Sequence, residues 1–579
     1  MKRTLFLVIC AATLAAACQK EQSGLIETDK TPATTLTFKA SLPETKVAVN
    51  TTSGKVTWVS GDSFAFFNTD GTKFEATLSA GEGTSEGTFT CTSFTGTLDS
   101  SAPAVYPFAY AGAAGKVVIP HYTAWAEGVP AIMASDVSLS GENVIVDFTH
   151  LMSILEITLQ DVPAYARAVK FSSAEGQKLS GTYTVNATKD GVTLDSGLSE
   201  QVIYFPYKTA YGAEATIKIC APIPSYTYTD LYVSVLDGDE DALEGTTKKV
   251  KSSSSDLAVA DYRYMPTLNV RSLVGTSRDK YVKVEGVKWA KGNLRAWKSG
   301  TTGTGWQSGW NVYGEQWETQ STQYNATSIT TLDNANYKEG DVFTHWDYFS
   351  WGKIGSASRD GMNTTQINCD NDESFEIVGK VFTGTQGDIS KMIECDGDAR
   401  FVYTDFETAP SICGDVAFWA SKGQFRMPTK AEIQKLSTTG GASRAHSHYG
   451  YYQVSSGVKV YGILFRSSPS WDTTISDSSS SSSVAFDASD IESGLFLPKI
   501  GERKKKEAEY DSITISNYNS WGIYWSGSFG GKVDYRRCAY HLYFVGACQA
   551  IYNSTTPVSS NYFGRTLFGN AIRPVYIGE

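Results

Sequence analysis

Short runs of alternating apolar and polar residues dominate the chain from residue 36 to about residue 268. Between Leu36 and Leu42 every second residue is apolar, which is the period of two expected for a strand with one buried face. Further short runs, separated by turn residues, lie at Lys55–Val59, Phe64–Phe67, Lys73–Leu78, Lys116–Pro120, Val144–Phe148, Ile154–Leu159, Val202–Phe205, Thr216–Cys220 and Tyr232–Leu236. Short strands at this spacing, with almost no helical pattern, indicate β-sandwiches. We therefore predict two sandwiches in tandem, over residues 35–147 and 148–270.

The pattern changes after residue 270. The segment Tyr281–Trp289 predicts a hairpin with the Glu285-Gly286 pair at its turn, and Asp415–Gly423 is consistent with a short helix that ends at Gly423. A second helix is predicted after Thr429, because Thr429 and Glu432 have the spacing of a capping box. Residues 271–579 are therefore predicted to form an α+β unit within a mainly β protein.

The N-terminal residues have the pattern of an export signal. Two basic residues precede an apolar stretch from Leu5 to Leu14, and three alanines then lead to Cys18. Such a stretch is typical of a secretory signal and is too short to span a bilayer as a helix. Cys18 directly after small residues resembles the lipobox of bacterial lipoproteins. This resemblance implies removal of residues 1–17, lipidation of Cys18 and attachment to the outer membrane; the alternative is an ordinary signal peptide with a chance cysteine.

Composition narrows the class of protein. Residues 18–34 are polar and without periodicity, as expected of a flexible tether. The 579 residues leave room for about three or four domains, and the low share of charged residues, 19%, argues against coiled coils and helical repeats. The net charge of −11 disfavours nucleic acid as a partner, because its phosphates require basic patches. No CxxC pair occurs, so a structural zinc site has little support.

Several motifs between residues 30 and 270 resemble fimbrillin-like proteins. They are Thr45-Lys46, the segment Trp58–Asp62 before a strand, the segment Phe148–Met152 and the segment Asp261–Tyr264. The resemblance implies two transthyretin-like sandwiches that serve as a stalk, anchor or tip subunit of a pilus. It also implies that pilus subunits are partners through donor-strand exchange, after a protease cuts at a basic residue. Lys46 is the candidate for this trimming; the alternative is that Lys46 is an exposed turn residue.

A second set of motifs resembles the major paralogous surface domains, which are related to the C-type-lectin-like fold. In chain order they are Trp289–Leu294, Tyr348–Gly352, Arg426–Leu436, Gly494–Pro498, Tyr524–Ser528, Ala539–Phe544 and Ala571–Val575. The resemblance implies a lectin-like α+β unit over residues 271–579. Cys538 and Cys548 also parallel the paired thiols of related formylglycine-generating enzymes, but without matching neighbours a buried cysteine or a disulfide is the preferred interpretation.

The segment from residue 517 to residue 565 is rich in Tyr, Asn, Ser and Trp, which is the composition of recognition loops. We predict a glycan or protein ligand for this surface; plain surface loops are the alternative. Trp525 and Phe544 are expected to pack inside. The candidate ligand-binding residues are Tyr518, Asn519, Trp521, Tyr535, Arg536, Arg537, Tyr552, Asn553 and Tyr562.

Three further clusters could carry chemistry, and each has a simpler interpretation. Carboxylates crowd residues 237–244 and could hold calcium, but without an EF-hand pattern a solvated hairpin tip is favoured. His446 and His448 could share a metal, but with no third ligand an aromatic-rich surface loop is favoured. The segment Gly83–Gly87 fits a nucleophile elbow, but its neighbours favour a hairpin loop. We therefore expect no catalytic residues, no metal site and no cofactor, with calcium alone left open.

The sequence thus predicts a surface lipoprotein that acts as a pilus tip subunit or adhesin, with a C-terminal recognition head. One alternative is a glycan-capturing surface lipoprotein without a role in pilus assembly. A further alternative is an enzyme on the lectin-like fold, which would require a metal or thiol constellation that the sequence does not display.

Overall fold

The computed structural model describes residues 34–43, 57–126, 131–140, 143–174, 177–188, 191–205, 216–224, 226–228, 230–251, 256–257, 262–264, 267–275, 279–299, 307–319, 332–333, 343–346, 392–395, 398–401, 415, 417–418, 421, 423–436, 445–455, 457–467, 469, 484–505, 512–516, 519–533, 536–545, 548–552 and 570–578. The predicted signal segment, nearly all of the tether, Cys18 and Lys46 lie outside these residues. Within them the protein is mainly β, as predicted.

The first strands of the chain are β1 Thr34–Ser41, β2 Ser63–Phe67, β3 Lys73–Ala80, β4 Glu86–Phe94, β5 Ala104–Tyr106, β6 Lys116–Ile119, β7 Tyr122–Ala124, β8 Met133–Ser135, β9 Val137–Ser140, β10 Asn143–Asp147 and β11 Thr149–His150. A 3₁₀ turn spans Phe108–Tyr110. Nine of these strands form one sheet in the order β11-β8-β5-β2-β3-β4-β1-β10-β9. Strand β1 therefore lies inside the sheet, antiparallel to β4 and parallel to β10.

An aromatic core explains why this sheet forms. The alternation predicted for β1 is observed, because Phe38 and Ala40 are buried while Lys39 between them is exposed. The Phe38 ring meets the Phe64 ring edge-on, with 5.2 Å between ring centroids, and Phe89 packs on Phe64 at 5.0 Å. Burial of these rings favours one register over its neighbours, since a one-residue slip would turn them all toward water.

The strand predicted at Lys55–Val59 is wrong where it can be checked, since residues 57–59 form a loop. Trp58 is nevertheless 1% exposed, and its indole packs edge-on against Phe89 at 4.9 Å. Its backbone bonds to the turn between β3 and β4, where the Trp58 amide donates to Thr84 O and the Gly83 amide donates to Trp58 O. Burial of Trp58 produced the strand-like pattern. Gly83–Ser85 lie in the hairpin loop between β3 and β4, as predicted, and Glu86 and Gly87 begin β4.

The next strands are β12 Ser153–Gln160, β13 Ala166–Ser173, β14 Ser180–Val185, β15 Val192–Leu198, β16 Glu200–Tyr204, β17 Ile217–Ile223, β18 Tyr226–Thr227, β19 Leu231–Asp237, β20 Lys248–Lys251, β21 Asp256–Leu257, β22 Tyr262–Tyr264 and β23 Leu268–Asn269, followed by the short helix α1 Val270–Leu273. One sheet has the order β17-β12-β22, and another has the order β20-β19-β13-β16-β7. Side chains of both sheets, among them Leu155, Ile219, Phe171 and Val233, fill a single core.

The two halves of this region are interleaved. Strands β6 and β7 precede residue 147, but they pair with β14 and β16, which follow it. Strand β11, after residue 147, pairs back onto β8. The predicted boundary at 147/148 thus falls between β10 and β11, while strand pairing crosses it in both directions.

The C-terminal elements are β24 Tyr281–Val284, β25 Val287–Ala290, β26 Leu294–Ser299, β27 Gln307–Val312, β28 Leu332–Asp333, β29 Phe343–Trp346, β30 Met392–Cys395, β31 Asp398–Phe401, β32 Phe425–Arg426, α2 Lys430–Gln434, β33 His446–Ser455, β34 Val458–Arg466, β35 Val484–Phe486, α3 Ala488–Glu492, β36 Leu495–Pro498, β37 Glu502–Lys505, β38 Ser512–Ser516, β39 Trp521–Val533, β40 Arg536–Val545, β41 Cys548–Tyr552 and β42 Val575–Tyr576. The last strand pairs with β25 and β32, so the end of this region is joined to its beginning.

The hairpin turn and the capping box predicted for this region are confirmed, whereas the helix predicted over Asp415–Gly423 lies largely outside the described residues. The β24–β25 hairpin turns at Glu285 and Gly286, whose φ angles of 52° and 73° are both left-handed. Thr429 and Glu432 form the capping box at the start of α2. Around Asp415, the carboxylate accepts hydrogen bonds from Phe418 N and Met427 N, and Gly423 ends the turn with a φ of 84°.

Candidate functional site

Of the nine residues predicted for ligand recognition, five lie among the described residues, and four of these five are on strands. Tyr518, Tyr535, Asn553 and Tyr562 lie outside the described residues. Trp521, Arg536, Arg537 and Tyr552 lie on strands β39, β40 and β41, and Asn519 lies in the turn before β39. The prediction of loops is therefore wrong for Trp521, Arg536, Arg537 and Tyr552. The composition of this segment suggested a loop, but its backbone pairs with neighbouring strands.

Strand register spreads these positions along the β39–β40 hairpin. Trp521 pairs with Val545 at the open end, whereas Arg536 pairs with Val533 next to the turn. The Trp521 indole contacts the Tyr543 ring edge-on, with 5.5 Å between centroids. Trp525 and Phe544 on the same hairpin are fully buried, as predicted. The hairpin therefore contributes core residues at its centre and one half-buried aromatic pair at its open end.

A different part of the molecule has the geometry of a binding site. A cleft of about 270 Å³ opens where the second sandwich and α1 meet the C-terminal region. Tyr165 and Arg271 line it from the sandwich side. The C-terminal side contributes Tyr281, Val282, Lys291, Glu315, Gln316, Trp317, Tyr452, Ala488, Ile491 and Glu492. Its volume is near the lower end of the range of about 300–1,000 Å³ that is typical of small-molecule sites.

An aromatic pair forms part of the wall of this cleft. The Trp317 and Tyr452 rings are stacked with 6.0 Å between centroids and 28° between planes. Both pack against a core cluster that includes Ile491 and Phe496. Tyr452 is on β33, and Trp317 lies in the loop after β27.

A buried amide holds the loop that carries Trp317. Gln316 is 4% exposed, and its Nε2 donates to Ile491 O at 2.7 Å and to Gly494 O at 2.9 Å. Its Oε1 accepts from Phe496 N at 2.7 Å, and its carbonyl accepts from Arg573 Nη2 at 3.0 Å. These hydrogen bonds of the buried Gln316 side chain hold the loop that carries Trp317 in place. Loss of any one of them would leave a buried polar group without a partner.

Charged groups of both signs line the mouth of the cleft. Arg271 Nη2 lies 2.8 Å from Glu492 Oε1 and 3.0 Å from Oε2, so this pair links α1 to α3. Lys291 and Glu315 add one further charge of each sign. The lining charges therefore balance, and because Arg271 and Glu492 retain exposed surface they keep hydrogen-bonding capacity.

The acidic loop is not the solvated hairpin tip that the sequence favoured. Asp237 is 2% exposed, and Lys283 Nζ of β24 lies 3.6 Å from its Oδ2 and 3.9 Å from Asp239 Oδ2. Lys283 also pairs with Asp241, the exposed member of the group. In the folded chain the acidic loop is thus neutralised by Lys283, which is distant in the sequence. Asp237, Asp239, Asp241 and Lys283 form the joint between the second sandwich and the C-terminal region.

Hydrogen bonds and burial complete this joint. Asp239 Oδ1 accepts from Ser467 Oγ at 2.8 Å and from Gly286 N at 3.0 Å. Burial and the neighbouring Asp237 raise the pKa of the Asp239 carboxyl. Burial opposes the charge on Lys283, but Asp237, Asp241 and Asp239 raise its pKa overall. The joint therefore depends on a nearly buried lysine that remains charged among carboxylates.

His446 and His448 lie on β33 instead of in the expected surface loop, because the segment pairs with β34 over its full length. Among the described residues, no three His, Cys, Asp or Glu side chains are grouped so that they could bind a metal. Within the same residues, no helix has the length and apolar character to cross a membrane.

Sequence reasoning missed the cleft, although one signal was present. The aromatic run that contains Tyr452 follows His446 and His448, and its composition alone favours a surface loop. Arg271 and Trp317 had no local signal, since their role depends on segments that approach one another only in the folded chain.

No protein-family model matches the chain, and no curated protein matches it. Among solved structures, the chain is similar to a protein from Bacteroides ovatus that is described as a candidate cell adhesion protein, with a TM-score of 0.27 and 13% identity over 41% of this chain and 93% of that one. A corresponding protein from Bacteroides thetaiotaomicron gives a TM-score of 0.22 and 12% identity over 40% and 93%. The tip fimbrial protein Mfa3 from Porphyromonas gingivalis, with a C-terminal truncation, gives 0.16 and 9% identity over 39% and 83%.

Proposed function

We propose that the protein is a cell-surface adhesin that assembles as a pilus tip subunit, with its C-terminal region as the recognition head. In this proposal Cys18 carries the lipid anchor during export, and trimming at Lys46 prepares the chain for assembly. The observation that carries the proposal is the position of β1 between β4 and β10.

A cut at Lys46 would separate β1 from the rest of the chain, since β2 begins at Ser63. Loss of β1 would leave the facing edges of β4 and β10 without partners and would empty the sites of Phe38 and Ala40. An incoming strand with alternating apolar residues would restore both the backbone pairing and the core. The central position of β1 thus supports assembly by donor-strand exchange.

The joint supports a fixed head on this stalk. Because Lys283 and two of its carboxylate partners are nearly buried, separating the C-terminal region from the second sandwich would expose or unpair them. A head held in this way transmits load from a bound surface to the stalk.

The trimming step is tested by N-terminal sequencing of the protein purified from the cell surface. We expect a mature terminus at Val47, lost in Lys46→Ala and retained in the control Lys39→Ala, which changes an exposed lysine on β1. A surface protein that begins at Cys18 and still enters pili would contradict the proposal.

Adhesion is tested by comparing cells that carry the full chain with cells that lack it, on surfaces coated with mucin, plant polysaccharide or fibronectin. We expect saturable attachment that purified full chain inhibits. Attachment that is the same in both strains would refute the adhesin role. An untrimmed protein that binds soluble polysaccharide would instead favour a glycan-capturing lipoprotein, a candidate that the aromatic cleft also supports.

A further inference from the structure

The cleft between the second sandwich and the C-terminal region has the chemistry of a saccharide site, and it lies apart from the hairpin where the sequence placed recognition. Its walls come from α1, β24, β33 and α3 together with the loops that carry Tyr165 and Trp317. The site therefore exists only when the two regions are docked.

The aromatic wall is set before any ligand arrives. The stacked Trp317 and Tyr452 rings rest on a packed core, and the three side-chain hydrogen bonds of Gln316 fix the loop beside them. A preformed wall reduces the entropy lost on binding, because few side chains must be ordered. Aromatic rings also offer an apolar surface that suits the carbon face of a sugar ring.

The polar groups suit a ligand with many hydroxyls and no net charge. Arg271 and Lys291 are balanced by Glu492 and Glu315, so the lining gives no net attraction for an anion or a cation. A guanidinium supplies donors and a carboxylate supplies acceptors, and a hydroxyl can meet either one. A volume of about 270 Å³ fits one or two sugar rings and not a folded protein segment.

We propose that this cleft binds a neutral oligosaccharide, with Trp317 and Tyr452 as the apolar surface and the Arg271–Glu492 pair as the hydroxyl-binding group. The proposal rests on the proposed function, since it names the ligand class of the adhesin and moves the recognition site to this cleft. The proposal does not require calcium, because the Arg271 guanidinium and the Glu492 carboxylate supply the polar contacts.

The test is calorimetric titration of the full chain with cellotriose, maltotriose, mannotriose and triacetylchitotriose in EDTA, with a heparin tetrasaccharide as an anionic probe. We expect saturable binding of at least one neutral trisaccharide and none of the heparin fragment. Tyr452→Ala should weaken binding at least tenfold. The matched control is Tyr451→Ala, which removes the same side chain from the opposite face of β33 and should change the affinity less than twofold.

Binding of the heparin fragment alone, no binding of any trisaccharide, or equal losses in both tyrosine variants would overturn the proposal. If circular dichroism shows that Tyr452→Ala is misfolded, Glu492→Gln decides, with at least a fivefold loss expected and an unchanged affinity refuting the site. Cells that carry Tyr452→Ala separate this proposal from the adhesin role. Unchanged attachment by these cells would refute the cleft alone, whereas absent attachment by unaltered cells would refute the adhesin.

Discussion

The imidazole of His150 is shielded from water within the interleaved sandwich region. His150 is 5% exposed and pairs with Met133 where β11 joins β8. Among the described residues, neither of its ring nitrogens has a hydrogen-bond partner. Burial lowers the pKa of His150 from 6.5 to about 4, because the charged imidazolium would lose its hydration without gaining a counter-charge.

The sign of the pH effect follows from this shift. Between pH 6.5 and about pH 4 the unfolded chain binds a proton at His150 that the folded chain does not bind. The contribution of neutral His150 to stability is therefore complete above pH 6.5 and is lost as the pH falls toward 4. With these two pKa values, the free energy of unfolding should fall by about 2–3 kcal/mol between pH 7.5 and pH 4.5 through this residue alone.

The perturbation is His150→Leu, and the assay is urea unfolding of the full chain by circular dichroism at both pH values. We expect the transition of the sandwich region to lose about 2–3 kcal/mol less on acidification in the variant than in the unaltered protein. Thr149→Val is the matched control, since it changes the adjacent residue of β11 without altering a titratable group. An equal loss on acidification in His150→Leu and the unaltered protein would refute the reasoning.

Two further predictions concern the C-terminal region. Lys283→Met leaves Asp237 and Asp239 buried without their cation, which should destabilise the joint by about 3–5 kcal/mol. Protease cleavage between residues 274 and 279, which connect the two regions, should therefore accelerate. The control Lys288→Met, an exposed lysine on the next strand, should leave cleavage unchanged, and equal acceleration in both would contradict the role of the joint. Arg573→Lys should destabilise the C-terminal region by about 2–3 kcal/mol, because an ammonium cannot replace the guanidinium bonds to Asn293 Oδ1 and three carbonyls. Thermal unfolding measures this change, and an unaltered midpoint would contradict it.

Much of the local structure could be predicted from the sequence. The alternation from Leu36 to Leu42, the turn at Glu285 and Gly286 and the capping box at Thr429 all appear as predicted. Each depends on residues within a few positions of one another, so the local sequence contains all the groups that form it.

Predictions failed where a distant partner determined the outcome. The acidic loop looked solvated because Lys283 lies far along the chain, and the segment around Trp58 looked like a strand because burial alone produced the pattern. The aromatic segment after residue 520 looked like loops, but β39, β40 and β41 satisfy its backbone groups by pairing. Amino-acid composition indicates whether the side chains of a segment suit an exposed or a buried surface. It does not indicate which strand will pair with that segment.

The sequence by itself therefore determined that the chain forms short strands with one buried face, and it determined where several turns and one helix begin. Only the tertiary structure decided that β1 enters the middle of a sheet, that Lys283 neutralises the acidic loop, and that Trp317, Tyr452 and Arg271 meet in one cleft. The reason is that periodicity and capping record interactions within a few residues. Strand order, ion pairing and cleft formation instead depend on close packing between segments that are far apart in the chain.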